Sequence, residues 1–116
     1  MGMPSIKNLP LEEKFRELHV FKLPFSKEVK NELYSKGVRN LGQIADKFLH
    51  ANSKYQGRYW LPGFKDKVFA ETCYLLVAMG LDYAGYKEDA FMRSKVGWYV
   101  DKGRKDKIKA YTNSSI

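Results

Sequence analysis

The side chains best suited to chemistry in this chain are basic, and they gather around two glycine turns. Gly37-Val38-Arg39-Asn40-Leu41-Gly42 and Leu61-Pro62-Gly63-Phe64-Lys65-Asp66-Lys67 both read as sharp turns leading into a helix. The first N–H groups of a helix have no partner within it, so they can hold a phosphate when Lys or Arg stands nearby. By that logic Gly63, Lys65 and Lys67 form one candidate phosphate site, with Lys30, Asn31 and Arg39 near the other. The competing reading is architectural, with each Gly serving its turn and each Lys solvated. The basic run Arg104-Lys105-Asp106-Lys107-Ile108-Lys109 either adds sequence-independent affinity for a polyanion or is a solvated terminus.

Other chemistry has no visible carrier. His19 and His50 have no partners at metal-ligand spacing, so no metal site is expected. Cys73 sits in an apolar helical stretch and reads as an inert core thiol. Glu12-Glu13 and Glu88-Asp89 are sequence neighbours, which on a helix do not face one another. No Gly-rich phosphate loop and no nucleophile elbow is present. The expectation is a non-enzymatic protein without cofactors. Tyr55, Arg58, Tyr59 and Trp60 either stack on bases or cover a core.

Composition sets the frame for these residues. With 116 residues, 44% hydrophobic and 15% aromatic, the chain suits one domain with a core of moderate size. The net charge of +8 favours polyanionic partners, nucleic acid or an acidic protein surface. A single cysteine excludes an internal disulfide framework and fits a reducing compartment. With no apolar run long enough to span a bilayer and no apolar stretch after the first Lys, a soluble, cytoplasmic protein is expected.

The elements that must position the basic residues are helical. Residues 1–20 read as a lead-in followed by a short helix over Leu11 to His19, with Leu11, Phe15 and Leu18 as its buried stripe. Ser26 is placed to cap a helix over Lys27 to Lys36, with Phe25 packing on its first turn and Gly37 as its stop. Asn40 caps the next helix, Leu41 to Leu49, and an aromatic loop from His50 to Trp60 follows. The most apolar helix, about Lys65 to Met79, closes at Gly80-Leu81 and is expected to be touched from several sides. Residues 83–116 read as an extension with a basic tail. There, Glu88 to Val100 suits a helix or, around Gly97, a short extended segment, and Tyr111 to Ile116 reads as a frayed end.

The core segment, residues 21–82, resembles the C-terminal domain of the bacterial RNA polymerase alpha subunit, a helix-hairpin-helix family. The matching residues are Phe25-Ser26, Asn31, Leu33, Gly37-Val38, Leu41-Gly42-Gln43-Ile44, then Leu61-Pro62-Gly63, Lys67, Glu71, Leu75-Leu76 and Gly80-Leu81. They span about half the chain, and helix-hairpin-helix units recur in polymerases, ligases, nucleases and repair proteins. The resemblance implies an all-α, SAM-like bundle of short helices with two helix-hairpin-helix turns. It also implies binding to the DNA backbone and minor groove, and docking of transcription regulators. Two positions depart from the family: Glu28 stands where an Arg enters the minor groove, and Lys65 where a Gly approaches a phosphate. Lys27 and Lys30 flank Glu28. The expected contact set is thus Lys27, Lys30, Asn31, Arg39, Gly63, Lys65, Lys67, Arg104 and Lys105. The expected partner is DNA, held with low sequence specificity, or else a transcription-related protein bound by an adaptor that leaves DNA alone.

Overall fold

Among residues 11–51 and 63–115, which the computed structural model describes, the apolar run after Gly63 forms α4 (Asp66–Ala78). Every residue from Val68 to Leu76 on it is buried. A helix covered on all sides needs neighbours among the other described helices. In chain order they are α1 (Glu13–Arg16), α2 (Lys27–Ser35), α3 (Leu41–Ala51), α5 (Ala90–Tyr99) and α6 (Lys102–Ser115). A single 3-10 turn at Val20–Lys22 precedes α2. The class is all-α, and the extended pairing among the described residues is one antiparallel bridge between His19 and Asn40. The expected lead-in, residues 1–10, and residues 52–62 with Tyr55, Arg58, Tyr59 and Trp60 lie outside the described residues.

The link between α2 and α3 follows from Gly37. Its φ of 88° is the left-handed conformation that stops a helix, and Val38 N–H then returns to the Leu33 carbonyl at 2.9 Å. Leu33 and Val38 are both buried, so the turn is sealed by an apolar contact. Asn40 caps α3 as its sequence suggests, accepting from the Gln43 N–H at 2.9 Å. Gln43 reaches back in turn to accept from the Arg39 N–H. The chain before α2 is clipped onto this turn by Val20 N–H to the Arg39 carbonyl and Leu41 N–H to the Leu18 carbonyl, each 2.9 Å. Gly42 serves a different need: a Cβ there would lie 2.9 Å from the Arg16 Cβ, so its bare backbone lets α1 rest on α3. Arg16 closes that contact with a 2.7 Å bond to Asp46.

Two expectations are corrected, the Ser26 cap and the frayed end. Ser26 stands at the start of α2, but its hydroxyl makes no capping bond and is buried without a hydrogen-bond partner. Its backbone N–H instead donates to Glu71 Oε1 at 2.7 Å, so a carboxylate from α4 takes the place beside the start of α2. Of the two readings of Glu88 to Val100 the helix is the one formed, and Met92, Val96, Val100 and Ile108 belong to the same buried cluster as Phe48 and Phe69. Gly97 is accommodated within α5, and Tyr111 to Ser115 continue α6 rather than fraying. The physical reason is capping supplied from outside each helix. Asp89 caps α5 and Asp101 accepts from Arg104 N–H at 2.8 Å, while buried Asp82 orders the turn before α5 by accepting from Tyr86 and Lys87 N–H at 2.7 and 2.8 Å.

Glu71 has no exposed surface, with Lys67 3.7 Å from its second oxygen. Replacing a buried acceptor leaves its donor unpaired, at about 1–3 kcal/mol. Glu71→Ala is therefore expected to lower the urea-unfolding free energy by about 2–3 kcal/mol, and Glu71→Gln, which keeps an acceptor oxygen, by less. An unchanged midpoint for Glu71→Ala would remove this contact from the account.

Candidate functional site

The expected contact residues do not form one site; the fold sorts them into three places and sets Lys105 apart from all of them. α2 does the sorting. Its buried face is Val29 and Leu33, and the residues to either side of that face carry opposite charge. Lys27, Lys30, Asn31 and Tyr34, spaced i, i+3, i+4 and i+7, share the outward face. Glu28 and Glu32 fall on the other flank, toward α4. There Glu28 lies 3.6 Å from Lys67, and Glu32 lies 3.4 Å from Lys36.

On the outward face the basic residues meet aromatic rings. Tyr34 is 41% and Phe21 45% exposed, yet their ring centroids are only 5.0 Å apart. His19 stacks on Phe21 at 5.3 Å with 20° between planes. The Arg39 guanidinium lies 3.8 Å above the Tyr34 ring centroid and also donates to the Tyr34 carbonyl. Lys30 Nζ donates to the Phe21 carbonyl at 3.1 Å, which brings that ammonium beside the same rings. The Lys27 and Asn31 side chains are exposed and engage no described residue. The face therefore carries Lys27, Lys30 and Arg39 with no α2 carboxylate among them.

The second turn is closed from within. Gly63 has the expected positive φ of 86°, but its carbonyl accepts from Lys36 Nζ. The Lys65 N–H, the group expected to meet a phosphate, donates to Glu32 Oε2 at 2.9 Å. A carboxylate of the chain itself thus occupies the anion position at the start of α4. The Lys65 side chain remains exposed.

Lys67 and Arg104 belong to a third place, a cleft of about 260 Å³ lined also by Ser26, Tyr99, Asp101, Gly103 and Lys107. Its charge is largely balanced internally. Lys67 stands between Glu28 and Glu71, Asp101 faces the cleft beside Arg104 and Lys107, and Arg104 donates to the Pro24 carbonyl at 3.3 Å. Lys105 turns elsewhere, its ammonium 5.7 Å from the Tyr74 ring centroid. The cleft reads as a junction between α2, α4 and α6 more than as a surface awaiting an anion.

His19, Phe21 and Tyr34 are the residues that sequence reasoning missed. Tyr34 was legible as the i+4 neighbour of Lys30, but the approach of His19 and Phe21 depends on the bridge to Asn40, which no local pattern announces.

Among the described residues no cluster of His, Cys, Asp or Glu could hold a metal ion, and no helix is long and apolar enough to cross a membrane. Cys73 is buried in α4, and burial, with a smaller push from the Asp82 carboxylate, holds its thiol well above the ordinary range. A folded thiol that keeps its proton while the unfolded one ionises makes stability fall as pH rises past the ordinary value of 9.0. Below that value this contribution is fully present. Two outcomes are expected: an aromatic disulfide reagent leaves the native thiol unmodified until the chain unfolds, and Cys73→Ala weakens the alkaline loss of stability. Rapid modification of the folded protein would contradict this placement.

Comparison of the chain with protein-family models, with curated proteins and with solved structures gives no match.

Proposed function

We propose that this chain is a non-enzymatic DNA-binding module, cytoplasmic and serving transcription or its regulation, that holds phosphates on the outward face of α2 and the turn after it. The observation that carries the reading is the gathering of Lys27, Lys30 and Arg39 beside Asn31, with Glu28 and Glu32 kept to the opposite flank by Lys67, Lys36 and the Lys65 N–H. A net charge of +8 adds long-range attraction for a polyanion. The resemblance to the polymerase alpha C-terminal domain points the same way, with Asn31 as the shared residue on this face.

The mode differs from the one the family suggests. With Glu32 on the Lys65 N–H, that backbone donor is engaged within the chain. Side chains rather than helix N-terminal amides then do the binding, and affinity rests on Coulomb attraction with little sequence discrimination. The same closure favours a second reading, an adaptor that docks a protein on the α2 face and leaves DNA alone.

Titration of labelled duplex DNA, read by anisotropy at several salt concentrations, separates the two. The DNA reading predicts a Kd of roughly 10⁻⁴–10⁻⁶ M near physiological salt. It also predicts a log–log salt slope of about −2 to −3 if three phosphates are neutralised. Arg39→Glu is expected to weaken binding more than Lys105→Glu, although each places a carboxylate where a cation stood. Absence of binding at low salt by folded protein, or equal effects of the two reversals, would sink the DNA reading at this face.

A further inference from the structure

Charge accounts for Lys27, Lys30 and Arg39, but not for the rings between them. Phe21 and Tyr34 are large, about half exposed and held side by side in a soluble helical domain, where isolated exposed rings are common but a fixed cluster is not. Their positions are set by the chain. The Phe21 N–H donates to His19 Nδ1 at 3.2 Å, Lys30 holds the Phe21 carbonyl, and Arg39 lies over Tyr34. One side of Phe21 is backed by His19, which leaves a supported ring rather than a loose one.

We propose that this face is a platform for single-stranded nucleic acid, on which unpaired bases stack against Phe21 and Tyr34 while Lys27, Lys30 and Arg39 hold the neighbouring phosphates. The proposal rests on the nucleic-acid reading above and narrows it to one form of the polymer. Three observations select this occupant. The surplus of cations without a facing carboxylate on α2 selects a polyanion. The exposed rings select a polyanion that carries flat apolar groups. Their position on an open helix face selects bases that are already unpaired, because the bases of a duplex are stacked on one another and show a protein only their edges and the backbone. Arg39 serves both parts, as a flat cation on Tyr34 and as a donor to phosphate.

The test compares four labelled probes by anisotropy in one low-salt buffer: a short mixed-sequence single strand, its duplex, an abasic oligomer of equal length, and an acidic peptide. The expected order places the single strand at least several-fold tighter than the duplex and the abasic backbone. Base–aromatic stacking amounts to a factor of roughly five to 150 per base. Phe21→Ala, at an exposed position, should therefore lose about that factor on the single strand and leave the abasic oligomer unchanged, with helical circular dichroism unaltered. Phe21→Trp is the rescue, restoring the preference through a larger ring. Duplex binding equal to or tighter than the single strand, with no effect of Phe21→Ala, overturns the platform but leaves the DNA-binding reading intact. Failure to bind any nucleic-acid probe overturns both, as does tighter binding of the acidic peptide than of any nucleic-acid probe.

Discussion

The fold turns on a carboxylate with no exposed surface. Glu71 sits in the middle of α4, and burying such a group is costly unless it is bonded and paired. Here the Ser26 N–H supplies the bond and Lys67 the nearby charge. The contact places negative charge at the start of α2, where helix N–H groups favour it, and so ties that end of α2 to α4, while buried Val29 and Leu33 set the helix's rotation. Rotation decides which side chains face outward. With Val29 and Leu33 inward, the helical repeat sends Lys27, Lys30, Asn31 and Tyr34 outward and leaves Glu28 and Glu32 against α4.

From that placement the charges separate. The carboxylates of α2 are engaged by other groups of the chain, Glu28 by Lys67 and Glu32 by Lys36 and the Lys65 N–H. These exposed or half-exposed pairs contribute little stability one by one, since water and salt screen them. Their effect is on the surface that remains: each internal pairing removes an acid from competition with an external anion. The acid that would repel a phosphate at Glu28, and the amide that would attract one at Lys65, are engaged by the same framework. The outward face of α2 is left basic, and the second turn is left closed.

Much of the fold was legible because it is local. Gly37 and Gly80 stop their helices as their positions suggest, Asn40 caps α3, and the apolar density from Val68 to Leu76 marks a central helix. What could not be read depends on contacts distant in sequence. Ser26 looks like a cap, but the bond at that position comes from Glu71, forty-five residues away. The basic run after Lys102 looks like a solvated tail because its mean character is polar, yet the isolated Ile108 is fully buried and anchors a whole helix. Of the expected contact residues, Lys27, Lys30 and Asn31 share a face by spacing alone. Arg39 joined them through the ring of Tyr34, and Lys67 and Arg104 parted from them through the buried carboxylate and the docking of α6.

We propose that nucleic acid meets the outward face of α2, and not the cleft or the second turn. The most direct measurement is a backbone and side-chain NMR titration with a short single-stranded oligonucleotide. The account predicts that shifts concentrate on Phe21, Lys27, Lys30, Asn31, Tyr34 and Arg39, while Lys67, Tyr99 and Lys107 stay nearly still. Shifts centred on the cleft residues, with the α2 face unmoved, would contradict it.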